Sequence, residues 1–62
     1  MRLAGSPTLI KRYAGRRLYD AVRAIYLTDH DLVEMVLSRQ RFIVRDAESG
    51  EDVTRSVLDR LQ

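Results

Sequence analysis

The sequence predicts a small α+β domain: a three-stranded antiparallel β meander, then a helix, a two-stranded β-hairpin and a second short helix. Three observations predict this class. Short alternating segments separated by turn residues occupy residues 8–28, helical spacing of apolar residues begins at Thr28, and the chain has only 62 residues with no cysteine. A chain this short is near the lower size limit for folding alone, so we expect a homo-oligomer, a dimer or a tetramer.

Three short strands are expected in the first half of the chain. Residues 1–7 predict a flexible N-terminal arm that ends at Pro7, because proline cannot donate to a sheet ladder. Alternating side chains indicate a strand over residues 8–13, and Ala14 with Gly15 predicts a tight turn. Two further strands are expected at residues 17–20 and 24–28.

A helix is predicted to follow Thr28, which forms a capping box with Asp31. The apolar residues after this cap cover more than half of the helix circumference, more than a one-sided surface helix needs. We therefore expect the helix to lie between the sheet and a second subunit. The residues predicted at that oligomer interface are Leu32, Met35, Val36 and Leu37.

The end of the chain predicts a strand over residues 41–47, a turn at residues 48–51 and a final helix capped by Asp52 or Thr54. That helix is still running at Gln62, so we expect a C-terminal regulatory region beyond a DNA-binding domain of residues 8–62.

The charges are unevenly distributed along the chain. Residues 1–28 carry six Lys or Arg and one Asp, a net charge of +5, whereas residues 29–62 carry five Arg and eight acidic residues, a net charge of −3. Four cations and two tyrosines surround the first predicted turn within residues 11–19, an arrangement that can grip DNA phosphates as β-ribbon proteins do. A solvated charge cluster that protects a sheet edge is the alternative. Asp20 follows this stretch and either pairs with Arg16 or Arg17 or is an ordinary strand-end residue.

Several other kinds of site find no support. The single histidine, His30, lies between two aspartates in a helical first turn and fits capping better than a metal site. No serine has a nearby histidine and no glycine-rich phosphate loop is present, so we expect no catalysis and no cofactor. No stretch is apolar enough for a secretory signal or a membrane span. The three tyrosines, Tyr13, Tyr19 and Tyr26, either stack on bases or pack half-buried on the sheet.

Two blocks of sequence resemble one known family. Lys-Arg-Tyr-Ala-Gly-Arg-Arg-Leu-Tyr-Asp at residues 11–20 and Gly-Glu-Asp-Val-Thr-Arg-Ser at residues 50–56 together resemble the N-terminal DNA-binding domain of the polyhydroxyalkanoate (polyhydroxybutyrate) accumulation regulators. The similarity covers about residues 9–58. The family's usual Pro-Asn at the first turn is replaced by Ala14 and Gly15, and its polar loop after Tyr-Asp by residues 21–24. The positions that match the family's basic block are Lys11, Arg12, Arg16, Arg17 and Tyr19, and Arg23 adds a further cation to the expected DNA contacts.

The resemblance implies a cytoplasmic repressor of polyhydroxyalkanoate synthesis and granule-protein genes. Such a protein binds double-stranded promoter DNA while polymer is scarce and moves to the granule surface when polymer appears. The competing hypothesis is an oligomerisation or granule-docking module with weak or no DNA binding, whose apolar helix faces and tyrosines contact polyester or a partner protein.

Overall fold

A single four-stranded sheet carries both helices on one of its faces in the computed structural model, which describes residues 7–14 and 17–61. The predicted arm therefore lies outside the described residues except for Pro7, and so do Gly15 of the predicted turn and Arg16, a predicted DNA contact. The α+β class is confirmed. In chain order the elements are β1 (Thr8–Arg12), β2 (Leu18–Asp20), β3 (Ile25–Leu27), α1 (Asp29–Leu37), β4 (Phe42–Asp46) and α2 (Thr54–Arg60).

The sheet is mixed, with the strand order β3-β2-β1-β4. The antiparallel meander of β1, β2 and β3 is confirmed, but β4 pairs in parallel with β1 over all five residues, a pairing that alternation alone could not reveal. The expected second hairpin is reduced to one isolated antiparallel bridge between Arg45 and Asp52. Beyond that bridge, the Thr54 hydroxyl accepts a hydrogen bond from the Val44 amide at 2.8 Å, in place of the backbone carbonyl that a paired strand would supply.

The hydrophobic core lies between the sheet and the two helices. Because side chains alternate along a strand, every second residue of each strand faces the helices. Ile10 and Val44, which are opposite each other in β1 and β4, are completely buried, as is Leu32 of α1. Each such side chain contributes roughly 1.5–3 kcal/mol of burial free energy. The remaining core residues are Leu18, Leu27, Met35, Val53 and Val57.

Helix α1 is closed at both ends by backbone and side-chain hydrogen bonds. At its start the predicted capping box is confirmed: the Asp31 amide donates to Thr28 Oγ1 at 3.1 Å and the Thr28 amide donates to Asp31 Oδ2 at 2.8 Å. At its end the Arg39 amide donates to the Val36 carbonyl at 3.0 Å and the Gln40 amide to the Met35 carbonyl at 2.9 Å. This pair of bonds is a Schellman motif, and it holds Arg39 at a φ of +62°.

Helix α2 begins differently from the prediction. Its N-cap is Val53, which makes no side-chain capping bond, so the expected cap by Asp52 or Thr54 is wrong. Thr54 is the first helical residue, and the Asp52 carboxylate accepts from its amide at 3.0 Å and from its hydroxyl at 2.7 Å. The Thr54 hydroxyl is thus engaged with β4 and with Asp52, and it ties the helix start to the sheet.

Candidate nucleic-acid interface

One register row crosses the sheet face that the helices leave uncovered. Lys11 of β1 lies opposite Arg45 of β4 on one side and Tyr19 of β2 on the other, and Tyr19 lies opposite Tyr26 of β3. Directly opposed residues share a face, and Ile10, the neighbour of Lys11, is buried on the other face. The row therefore presents two cations and two tyrosines on the open face.

The tyrosines of this face form a ladder, a name used here for Tyr13, Tyr19 and Tyr26. The ring centroids of Tyr13 and Tyr19 are 6.2 Å apart and those of Tyr19 and Tyr26 are 5.1 Å apart, with edge-to-face interplanar angles of 74° and 61°. Tyr19 is half-buried between its neighbours, whereas Tyr13 and Tyr26 are 41% and 61% exposed. The rings pack on one another outside the core and leave aromatic surface open to a ligand.

Three exposed cations accompany the ladder: Lys11, Arg17 and Arg45. The Tyr13 amide donates a hydrogen bond to the Arg17 carbonyl at 2.8 Å. This bond extends the pairing of β1 with β2 and puts Arg17 beside Tyr13. Within residues 7–14 and 17–61, no carboxylate is in ion-pair distance of these three cations. Arg45 Nη1 donates to the Gly50 carbonyl at 2.9 Å. Its antiparallel bridge partner is Asp52, whose pKa is lowered by hydrogen bonds from Thr54 and then by the positive charge of Arg45.

Arg45 was not among the sequence-predicted contacts. The signal was present in the alternation of residues 41–47, which separates Arg45 from Val44. What the sequence could not show is that β4 pairs with β1, and only this pairing brings Arg45 beside Lys11.

Arg12 lies on the other face of the sheet. It is opposite Leu18, a core residue, and its Nη2 pairs with Asp46 Oδ2 at 3.2 Å. Hydrogen bonds from the Ser49 and Glu48 amides, and then from Arg12, hold the pKa of Asp46 below its usual value. Adjacent cations in the basic stretch thus point to opposite sides, and Arg12 is already partnered by an internal carboxylate.

Arg23 is also partnered, and it is the residue that pairs with Asp20. Asp20 is completely buried; its Oδ2 accepts from Arg23 Nε at 2.8 Å and its Oδ1 from the Val22 and Arg23 amides at 2.9 and 3.0 Å. Pairing of Asp20 with Arg17, one of the alternatives left open by the sequence, is not found; the observed ion pair is the local one with Arg23, and Arg16 lies outside the described residues. Burial alone raises the pKa of Asp20, but these hydrogen bonds outweigh it and leave that pKa below its usual value. Arg23 follows the opposite end of β2 from Arg17, so it does not join the open-face row.

The residues predicted at an oligomer interface divide into two pairs. Leu32 and Met35 are core residues, with 0% and 5% exposure, so they hold α1 to the sheet instead of facing a partner. Val36 and Leu37 are exposed, and Leu37 at 72% is among the most exposed apolar side chains described. They line an apolar groove between the helices, the α1–α2 groove, together with Val33, Leu58 and Leu61.

Metal-binding clusters and membrane-spanning helices are not found among the described residues. There, no three His, Cys, Asp or Glu side chains come together in a way that could hold a metal ion. Nor does any of the described helices have the length and apolar character that crossing a membrane requires.

The fold and this face define a small α+β module with an uncovered, basic and aromatic sheet surface, as in proteins that bind nucleic acid through strands. The family model described as "PHB/PHA accumulation regulator DNA-binding domain" matches residues 9–61, and the chain belongs to this family. It is therefore a DNA-binding domain of a regulator, from a family of DNA-binding proteins and not of known enzymes.

Two relatives are similar over 53 residues, which is 86% of this chain. An uncharacterized protein of Allochromatium vinosum is 43% identical, and an uncharacterized protein in the phbA 5′ region of Thiocystis violacea is 40% identical. The matched region makes up 35% and 38% of these relatives, so the chain spans about a third of their length. No solved structure matches the chain.

Proposed function

We propose that this domain binds duplex promoter DNA in the cytoplasm through the open sheet face at the β1–β2 connection, and that it serves a repressor of polyhydroxyalkanoate synthesis and granule-protein genes. Membership of the regulator family supports the DNA partner. The Thiocystis violacea relative is named for its position in the phbA 5′ region, and this supports the link to polymer genes.

The observation that carries the proposal is the clustering of Lys11, Arg17 and Arg45 on an uncovered face. A two-stranded ribbon fits the DNA major groove, which is about 12 Å wide, and β1 with β2 forms such a ribbon. Lys11 and Arg17 lie on that ribbon, while Arg45 reaches the flanking phosphates from β4. The proposed contacts are thus Lys11, Arg17, Tyr19 and Arg45, with Arg16 beside them in the chain, whereas Arg12 and Arg23 act through their ion pairs.

We also propose that two copies associate through the α1–α2 groove. Val36 and Leu37 remain exposed after the fold has formed its core, and burial of such apolar side chains is the main source of association free energy. The groove lies on the helix layer, so a dimer of this kind leaves both basic faces free for DNA.

The test is a titration of the domain with a promoter duplex and with a scrambled duplex of equal length at two salt concentrations, with the solution mass measured in parallel. The proposal predicts tighter binding of the promoter duplex, by an oligomer, with strong salt dependence. Equal and weak binding of both duplexes by a folded domain would contradict it.

A second candidate function is docking to polyester granules. The exposed Leu37 and the apolar α1–α2 groove favour it, because such a surface can adsorb to a hydrophobic polymer as well as to a second copy. Retention of the domain on polymer particles, together with a monomeric mass and no preference for promoter DNA, would support this function over the first.

A further inference from the structure

We propose that the tyrosine ladder is a stacking site for unpaired bases, so that the same domain binds single-stranded nucleic acid on its open sheet face. The inference deepens the proposed function, on which it rests for the class of ligand. It is carried by a separate observation: aromatic rings exposed in a row, next to cations.

Aromatic side chains stack on the faces of bases, not on their edges. In a duplex the base faces are stacked on one another and only base edges are accessible in the grooves. Unpaired bases expose their faces and stack on aromatic side chains, largely without regard to sequence. Tyr26 is 61% exposed on the edge strand β3, where its ring is available for such a contact.

The spacing of the rings indicates an extended strand. Neighbouring centroids in the ladder are 6.2 and 5.1 Å apart, whereas stacked bases follow one another at about 3.4 Å along a duplex strand. Bases that contact successive tyrosines must therefore be separated from each other. A single strand can adopt that spacing without losing base pairs.

The whole face is wider than the part of it that a major groove can hold. Neighbouring strands are about 4.8 Å apart, so the four strands span roughly 14 Å, which exceeds the major-groove width of about 12 Å. The ladder occupies the β1–β2–β3 part of this face, while Lys11 and Arg45 continue the row toward β4. A strand whose bases lie on the tyrosines can direct its phosphates toward these cations.

The amino-acid composition allows ligand binding at the ladder to be followed by fluorescence. The chain contains three tyrosines, all in the ladder, and no tryptophan, so the tyrosine fluorescence of the domain comes from the ladder alone. The experiment titrates the domain with a single-stranded dT12 oligonucleotide and with a 12-base-pair duplex. We expect dT12 to quench the tyrosine emission in a saturable manner and the duplex to quench it less.

Variants then locate the binding. Tyr26→Leu should weaken dT12 binding roughly 5- to 100-fold, as expected for the loss of one base–aromatic contact. Ile25→Ala is the matched control, because Ile25 precedes Tyr26 on the same edge strand and belongs to the opposite face. Circular dichroism checks that each variant is folded, and Tyr13→Leu serves in place of Tyr26→Leu if that variant unfolds.

The outcomes distinguish this inference from the proposed function. Duplex binding without dT12 binding, or dT12 binding that the tyrosine variants leave unchanged, overturns the inference and leaves the proposed function standing. No binding of either nucleic acid overturns both. Weakened dT12 binding in the tyrosine variants, with Ile25→Ala like the wild type, supports the inference whatever the duplex does.

Discussion

The guanidinium of Arg23 closes over the buried carboxylate of Asp20, with 2.8 Å between Nε and Oδ2. The same carboxylate accepts hydrogen bonds from two amides of the β2–β3 connection. This connection ends at Ala24, which has a φ of +59°. A cation that the sequence associates with DNA is thus committed to the fold. Its role is to order the connection that sets β3, and therefore Tyr26, beside β2.

Replacing Asp20 should destabilise the domain. Asp20→Asn removes the charge-assisted bond to Arg23 and should lower the free energy of unfolding by about 1.5–3 kcal/mol at pH 7. Urea unfolding followed by circular dichroism measures the change. The control is Asp59→Asn, an exposed aspartate on α2, for which we expect less than about 0.5 kcal/mol.

The effect of Asp20 should depend on pH in one direction. Because its pKa in the folded state lies below the unfolded value of about 3.9, Asp20 stabilises the fold above that pH and loses this contribution as the pH falls through the folded pKa. The difference between wild type and Asp20→Asn should therefore be constant above about pH 5 and shrink below pH 4. A difference that grows on acidification contradicts this account.

Arg39→Gly should stabilise the domain. Arg39 occupies the left-handed position that ends α1, with a φ of +62°, and a side chain there costs roughly 1 kcal/mol relative to glycine. We expect a gain of about 0.5–1 kcal/mol in the free energy of unfolding. Arg39→Ala, which keeps the strain but also removes the charge, is the control and should show no such gain.

Removing the capping hydroxyl of Thr28 should weaken the start of α1. Thr28→Ala deletes the acceptor of the Asp31 amide and should cost about 1 kcal/mol, whereas Thr28→Ser keeps the acceptor and should cost little. Chemical denaturation of the two variants compares them directly. Equal stability of both would show that the capping box contributes nothing measurable.

The features that the sequence predicts correctly depend on local interactions, and the features that it misses depend on pairing between distant parts of the chain. The capping box at Thr28 and the meander depend on residues a few positions apart, so both are visible in the sequence. The parallel pairing of β4 with β1 joins residues 34 positions apart and has no local signature. For the same reason the sequence did not reveal that Arg45 lies beside Lys11 or that Asp46 is the partner of Arg12, because both Arg45 and Asp46 lie on β4.

The helix positions show a related limit. An apolar stripe identifies the residues of α1 that avoid water, but it does not divide them between a core and a subunit interface. The burial of each side chain in the structure makes this division: Leu32 is buried in the core and Leu37 is exposed. Leu32→Ala should cost about 2–5 kcal/mol, while Leu37→Ala should change stability by less than about 0.5 kcal/mol.

The proposed subunit contact makes a separate prediction for the same surface. Leu37→Glu places a charge in the α1–α2 groove, and sedimentation equilibrium should show a shift toward the monomer with the fold retained. Val22→Glu, which is 77% exposed on the β2–β3 connection, is the matched control and should leave the mass unchanged. An unchanged mass for Leu37→Glu would place the subunit contact elsewhere.

The salt dependence of duplex binding tests the open face most directly. Each phosphate that a cation neutralises contributes about 0.9 to the slope of log K against log salt, so Lys11→Ala and Arg45→Ala should each flatten the slope by about that amount. Arg55→Ala removes the same charge from an exposed position on α2, in the helix layer, and should leave the slope unchanged. If Arg55→Ala flattens the slope while Arg45→Ala does not, phosphate contact belongs to the start of α2. In that case Arg45 is only a structural neighbour of the Gly50 turn.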